Sequence, residues 1–237
     1  VKNIAVLFGT NFADTVTGDA NDNIIQGAGG NDDIRGGQGN DTLDGGAGNN
    51  LMRGEDGADI ITGSSDNDTI YGGLGNDTMI GGGGTDVLRF DDLSGSGVVL
   101  DLTAGQASYA TDVSTDLFSG FSTYVMTNQA DTLVGSTGND TVQAMGGDDL
   151  LQASLGTDSL DGGSGTDTFS YAGATGAVTL DLAATGLQFT GFGIVAVSNI
   201  ENITGSAFND TLSGDGNANI LLGGDGLDTL VGGAGND

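Results

Sequence analysis

One nine-residue phrase, repeated from Gly9 to Arg89 without an insertion, constrains this chain more than any other feature. Its clearest copies are Gly36–Asp44, Gly72–Ile80 and Gly81–Arg89. In that frame the eighth place holds Val16, Ile25, Ile34, Leu43, Met52, Ile61, Ile70, Met79 and Leu88, all apolar. The sixth place holds Asp14, Asn23, Asp32, Asp41, Asn50, Asp59, Asp68, Asp77 and Asp86, a carboxylate or its amide isostere each time. A strict period of this kind belongs to stacked repeats, in which each unit buries its apolar residue only against its neighbours.

The phrase divides into six turn residues and three strand residues. Glycines at places one, two and four, such as Gly36, Gly39, Gly72, Gly75, Gly81 and Gly84, permit positive φ and close backbone approach. Places seven to nine, such as Thr42-Leu43-Asp44, alternate out, in, out as a short strand does. One copy makes half a coil, so two copies, about 18 residues, complete one turn of a solenoid, and strands one coil apart stack in parallel at roughly 4.8 Å. Asp14, Asp32, Asn50, Asp68 and Asp86 then line one edge, and Asn23, Asp41, Asp59 and Asp77 the other. Carboxylates stacked so closely repel. A divalent ion between successive coils, held by six or more oxygens from Asp side chains and turn carbonyls, relieves that repulsion.

Composition narrows the choice of ion and of function. Among 237 residues there are 33 acids against four bases, a net charge of −29, with no His and no Cys. Thiolate and imidazole metal sites and classical catalytic triads are therefore excluded, and a hard, oxygen-seeking cation, Ca²⁺ first, remains. Nucleic acid is excluded as a partner by the charge. No stretch approaches the ~20 apolar residues of a transmembrane segment. Nearly all carboxylates fall at periodic turn places, which speaks against a catalytic pair and so against an enzyme. With 47 Gly, no Trp and no Pro, the core is narrow, and without ions the chain is expected to be disordered.

The register is lost after Arg89. It resumes at Met126, with Asp131, Asp140, Asp149, Asp158 and Asp167 at place six and Leu133, Val142, Leu151, Leu160 and Phe169 at place eight. It resumes again at Gly205, with Asp210, Asn219 and Asp228 and with Leu212, Leu221 and Leu230. The expected organisation is a first array with its lead-in over 1–89, a strand-rich intermission over 90–125, a second array over 126–170, an intermission and lead-in over 171–204, and a third, truncated array over 205–237. All of these are expected to form one continuous solenoid cut from a longer polypeptide. Gly97-Val98-Val99-Leu100-Asp101-Leu102 and Ala177-Val178-Thr179-Leu180-Asp181-Leu182 correspond, as do the lead-ins Val1-Lys2-Asn3-Ile4 and Val197-Ser198-Asn199-Ile200, which points to duplication of a larger unit.

The phrase matches the G-G-x-G-x-D-x-U-x nonapeptide, and the chain resembles the RTX family of haemolysin-type calcium-binding repeats. The resemblance implies an all-β fold, a right-handed parallel β-roll or β-helix solenoid with Ca²⁺ bound in the turns between neighbouring coils. Carried onto this sequence, the ligands are Asp14, Asp32, Asp41, Asp59, Asp68, Asp77, Asp86, Asp131, Asp140, Asp149, Asp158, Asp167, Asp210 and Asp228, with the turn glycines named above. Weaker sites are expected at Asn23 and Asn50 and at the copies that lack the glycines, Gly54-Glu55-Asp56-Gly57 and Gly63-Ser64-Ser65-Asp66. The family also implies type I secretion from a bacterium. The expected role is a calcium-binding structural region of a larger extracellular or cell-surface protein, with self-association end to end or edge to edge. The alternative is an accessory module of a secreted protease, lipase or polysaccharide-modifying enzyme.

Overall fold

The three strand residues of each copy form because the eighth-place side chain has somewhere apolar to go while its neighbours face water. In the computed structural model, which describes residues 6–109 and 114–237, every element is a β-strand, with no helix among the described residues. The lead-in Val1–Ile4 lies outside the described residues. The chain divides into two compact units, one made of residues up to Gly95 with Gly105–Val125, the other of Ser96–Ala104 with Met126–Asp237.

In the first unit two parallel ladders climb with the 18-residue step. One runs Val6–Phe8, Ile24–Gln26, Thr42–Gly46, Ile60–Ser65 and Thr78–Gly83, and the other Thr15–Thr17, Asp33–Gln38, Leu51–Asp56, Thr69–Leu74 and Val87–Arg89. Register such as Leu43↔Ile61↔Met79 keeps eighth places in one column, and Ile25 through Leu88 are each at most 1% exposed. Each such burial contributes about 1.5–3 kcal/mol. Several strands here are six residues long rather than three, because the ladder continues through the turn glycines, as in Gly37↔Glu55 and Gln38↔Asp56. The ninth places of one ladder stack on the outside, where Arg53 and Arg89 both lie against the ring of Tyr71.

The intermission after Arg89 rejoins these ladders. Thr115–Ser119 lies parallel to Thr78–Gly83 and Thr123–Val125 parallel to Val87–Arg89, with Phe118 opposite Met79 and Tyr124 opposite Leu88. The bulkier rings take over the core column where the repeat is lost.

In the second unit the same architecture recurs with shorter strands. Val98–Asp101, Thr132–Val134, Leu150–Gln152, Thr168–Ser170, Asn202–Thr204 and Ile220–Leu222 form one parallel ladder. Thr141–Gln143, Thr157–Asp161 and Ile194–Ser198 form a second, and Thr179–Asp181, Thr211–Ser213 and Thr229–Val231 a third. The two corresponding hexapeptides do the same job: Leu100 sits opposite Leu133 and Leu180 opposite Leu212. Eighth-place residues from Leu133 to Leu212 are buried, whereas Leu230, with a rung on one side only, is 45% exposed.

Candidate metal sites

Each sixth-place residue ends a turn with its side chain folded back beneath the coil, not into solvent. The backbone N–H of one donates to Oδ1 of the residue one coil on, so that Asp14 reaches Asp32 at 2.8 Å, Asp41 reaches Asp59 at 2.7 Å and Asp68 reaches Asp86 at 2.8 Å. Both edges read off the sequence are therefore real columns, joined by charge-assisted hydrogen bonds. First-place glycines make room for them: a Cβ on Gly36 would collide with Asp41 Oδ2 and the Gly54 carbonyl oxygen. Gly36, Gly72 and Gly81 have ordinary φ, so their need for glycine is one of space. Positive φ belongs to the second and fourth places, as at Gly73 and Gly75.

The columns continue into residues that the periodicity did not single out. Asp77 N–H donates to Asp116 Oδ1, and Asp167 N–H donates to Glu201 Oε2. Asp116 carried a legible signal, because Thr115-Asp116-Leu117-Phe118-Ser119-Gly120 repeats places five to nine and the next first-place glycine. Glu201 carried none, since a longer acid reaches the same spot from an irregular lead-in.

While Oδ1 is bonded, Oδ2 divides the aspartates into two kinds. In Asp32, Asp41, Asp59, Asp68, Asp77, Asp86, Asp149 and Asp167 it is buried with no hydrogen-bond partner, and these residues are at most 2% exposed. In Asp14, Asp131, Asp140, Asp158 and Asp210 it is not orphaned. There the second-place hydroxyl of Thr10, Thr127, Ser136, Ser154 or Ser206 donates to the carboxylate four residues on. In four of these copies the second-place N–H donates as well, for example Ser136 to Asp140 Oδ2 at 2.8 Å. Asp228 is half-buried near the last rung and accepts from Asp210 N–H.

A buried carboxylate oxygen without a donor costs about 1–3 kcal/mol or more. Burial accordingly pushes the carboxyls of Asp59 and Asp68 up to about 6, Asp149 to about 7 and Asp77 to about 8, with neighbouring acids adding to the effect. Burial raises the capped Asp131 to about 6 as well, opposed first by the Val98 N–H and then by the hydroxyl and N–H of Thr127. No side-chain cation among the described residues answers the orphaned oxygens. Among the described residues the ion pairs are Arg35–Asp33, Arg53–Asp33 and Arg89–Asp91.

Asn50 shows what the orphaned position faces. Its Oδ1 accepts from Asp32 N–H, and its Nδ2 donates to the fourth-place Gly48 carbonyl at 3.0 Å. An amide therefore places a proton where an ionised aspartate would set one oxygen against another, a place at which the carboxylate needs a cation. Among the described residues no three carboxylates converge on one point, so carbonyls of the turns have to complete any site. Oxygen-only ligands, full burial and missing counter-charge fit Ca²⁺. The copies that lack the glycines differ little from the others: Glu55 and Ser64 adopt φ of 75° and 86°, and the Asp59 and Asp68 oxygens that follow are orphaned like the rest.

The chain matches the family described as RTX calcium-binding nonapeptide repeat (4 copies), in overlapping matches that together span residues 8–88, 127–169 and 199–237, more than half of its length. It belongs to the RTX calcium-binding repeat family. No curated protein matches it. This RTX region binds Ca²⁺ at multiple sites, in accord with the buried aspartate turns of both units.

Proposed function

We propose that this RTX region is a non-catalytic structural element of a larger secreted or cell-surface bacterial protein, one that folds when it meets external Ca²⁺. The observation that carries the reading is the row of buried carboxylate oxygens with neither a donor nor a counter-ion. When bound, Ca²⁺ supplies the missing positive charge. The chain's own residues do the rest: Oδ1 atoms tie coil to coil through backbone N–H groups, the turns present carbonyls, and eighth-place side chains close the core.

A chain of net charge −29 with so thin a core is unstable where Ca²⁺ is scarce and stabilised by mass action where it is abundant, by about 2.7 kcal/mol per site at 100 times Kd. That dependence suits export as an unfolded chain through a type I apparatus. Far-UV circular dichroism tests it: β-structure should appear on adding millimolar Ca²⁺ and vanish in excess chelator. Equal β content in both conditions overturns the proposal.

A further inference from the structure

The two kinds of aspartate are told apart by the second place of their own repeat. Before each of the eight orphaned carboxylates the second-place residue has positive φ, whether it is glycine, as at Gly37 (114°), or not, as at Ala28 (78°) and Met145 (73°). Before each of the five capped carboxylates it is Ser or Thr without positive φ. Left-handed backbone at Ala28, Glu55, Ser64 and Met145 costs of order 1–2 kcal/mol apiece, strain that a hydrogen-bonded turn of the Ser136 type would avoid. It turns the second-place N–H away from Oδ2, leaving a buried acceptor open.

Building on the calcium reading above, we infer that the second place is a selector. A left-handed residue there makes a calcium rung, and a Ser or Thr in ordinary conformation makes a metal-free rung, in which hydroxyl and N–H protons stand in for the ion. The RTX match covers both kinds of copy alike, so the number of repeats overstates the number of ions. Calcium rungs occur on both edges of the first array from Asp32 onward, interrupted on one edge by Asn50. In the second array they lie on one edge, at Asp149 and Asp167, while Asp140 and Asp158 on the other are closed by Ser136 and Ser154. One edge there is independent of metal by construction.

The test counts Ca²⁺ per chain by equilibrium dialysis and metal analysis on the full 237-residue chain. Asp59→Asn and Asp77→Asn should each lose one or more ions. Asp140→Asn and Asp158→Asn should lose none, and Ser136→Gly with Ser154→Gly should gain one or two. Asn50 shows that the coil accommodates an amide at this place, and circular dichroism at saturating Ca²⁺ checks each variant for native β content. Loss of ions from Asp140→Asn or Asp158→Asn, or no loss from Asp59→Asn and Asp77→Asn, overturns the selector and leaves calcium-dependent folding standing. A wild-type chain that takes up no Ca²⁺ overturns both.

Discussion

Between Gly27 and Arg89 all six sixth-place aspartates have a buried oxygen without a partner, whereas between Met126 and Ser170 only two of five do. The apolar column is the same in both, with Ile61 and Leu151 equally buried. What differs is how the charge of the turn is satisfied. Turns whose second place is left-handed leave one carboxylate oxygen without a donor, and turns with Ser or Thr there in ordinary conformation spend hydroxyl and backbone protons on it. The lesson is that a repeat can conserve its coil while changing its dependence on solvent ions.

The largest expected break between the two regions comes from chelator. Amide exchange at Thr69–Leu74 and Thr78–Gly83 should accelerate by orders of magnitude, and at Thr141–Gln143 and Thr157–Asp161 by far less. Uniform loss across both regions would erase the distinction. Core truncation should not discriminate. Ile61→Ala and Leu151→Ala should each cost about 2–5 kcal/mol in denaturant titrations with Ca²⁺ present, and a gap between them larger than that range would show that the apolar columns are not equivalent.

Asn50→Asp sharpens the comparison from the other side. Gly46, its second-place residue, already has φ of 81°, so the variant should bind one ion more than wild type in the dialysis measurement, and an unchanged count would weigh against the role of the turn. The smallest effect concerns protons. Carboxyls raised to between about 6 and about 8 in the folded, calcium-free chain hold protons that the unfolded chain sheds above about 4. Calcium-free stability is therefore fullest below about 4 and is lost as pH rises through 6 to 8. Acidifying the chelated protein from pH 8 to pH 5 should raise its β signal, and a flat or falling signal would contradict the assigned burial.

Much of this was legible in the residues. The 18-residue coil, the two aspartate columns and the eighth-place core follow from a period of nine and the alternation of a strand, and they appear in the registers. The return of the intermission was half legible: Thr115–Gly120 repeats the motif, but its offset of 39 residues from Asp77 hides the pairing. Glu201 was not legible, because a column position can be filled from any segment that arrives at the right height.

The sequence by itself determined the solenoid, since only a stack of half-coils buries one apolar residue in nine, and it determined oxygen-only metal chemistry, since it has neither His nor Cys. Which turns stay open was decided by tertiary structure. Ser64 and Ser136 occupy the same second place, yet Ser136 caps Asp140 whereas Ser64 sits at φ 86° with its hydroxyl on Asp44 Oδ1 at 2.8 Å, leaving Asp68 uncapped. Asp44 lies 20 residues before Ser64 and reaches it only because the coils are stacked, so a local motif cannot record the choice.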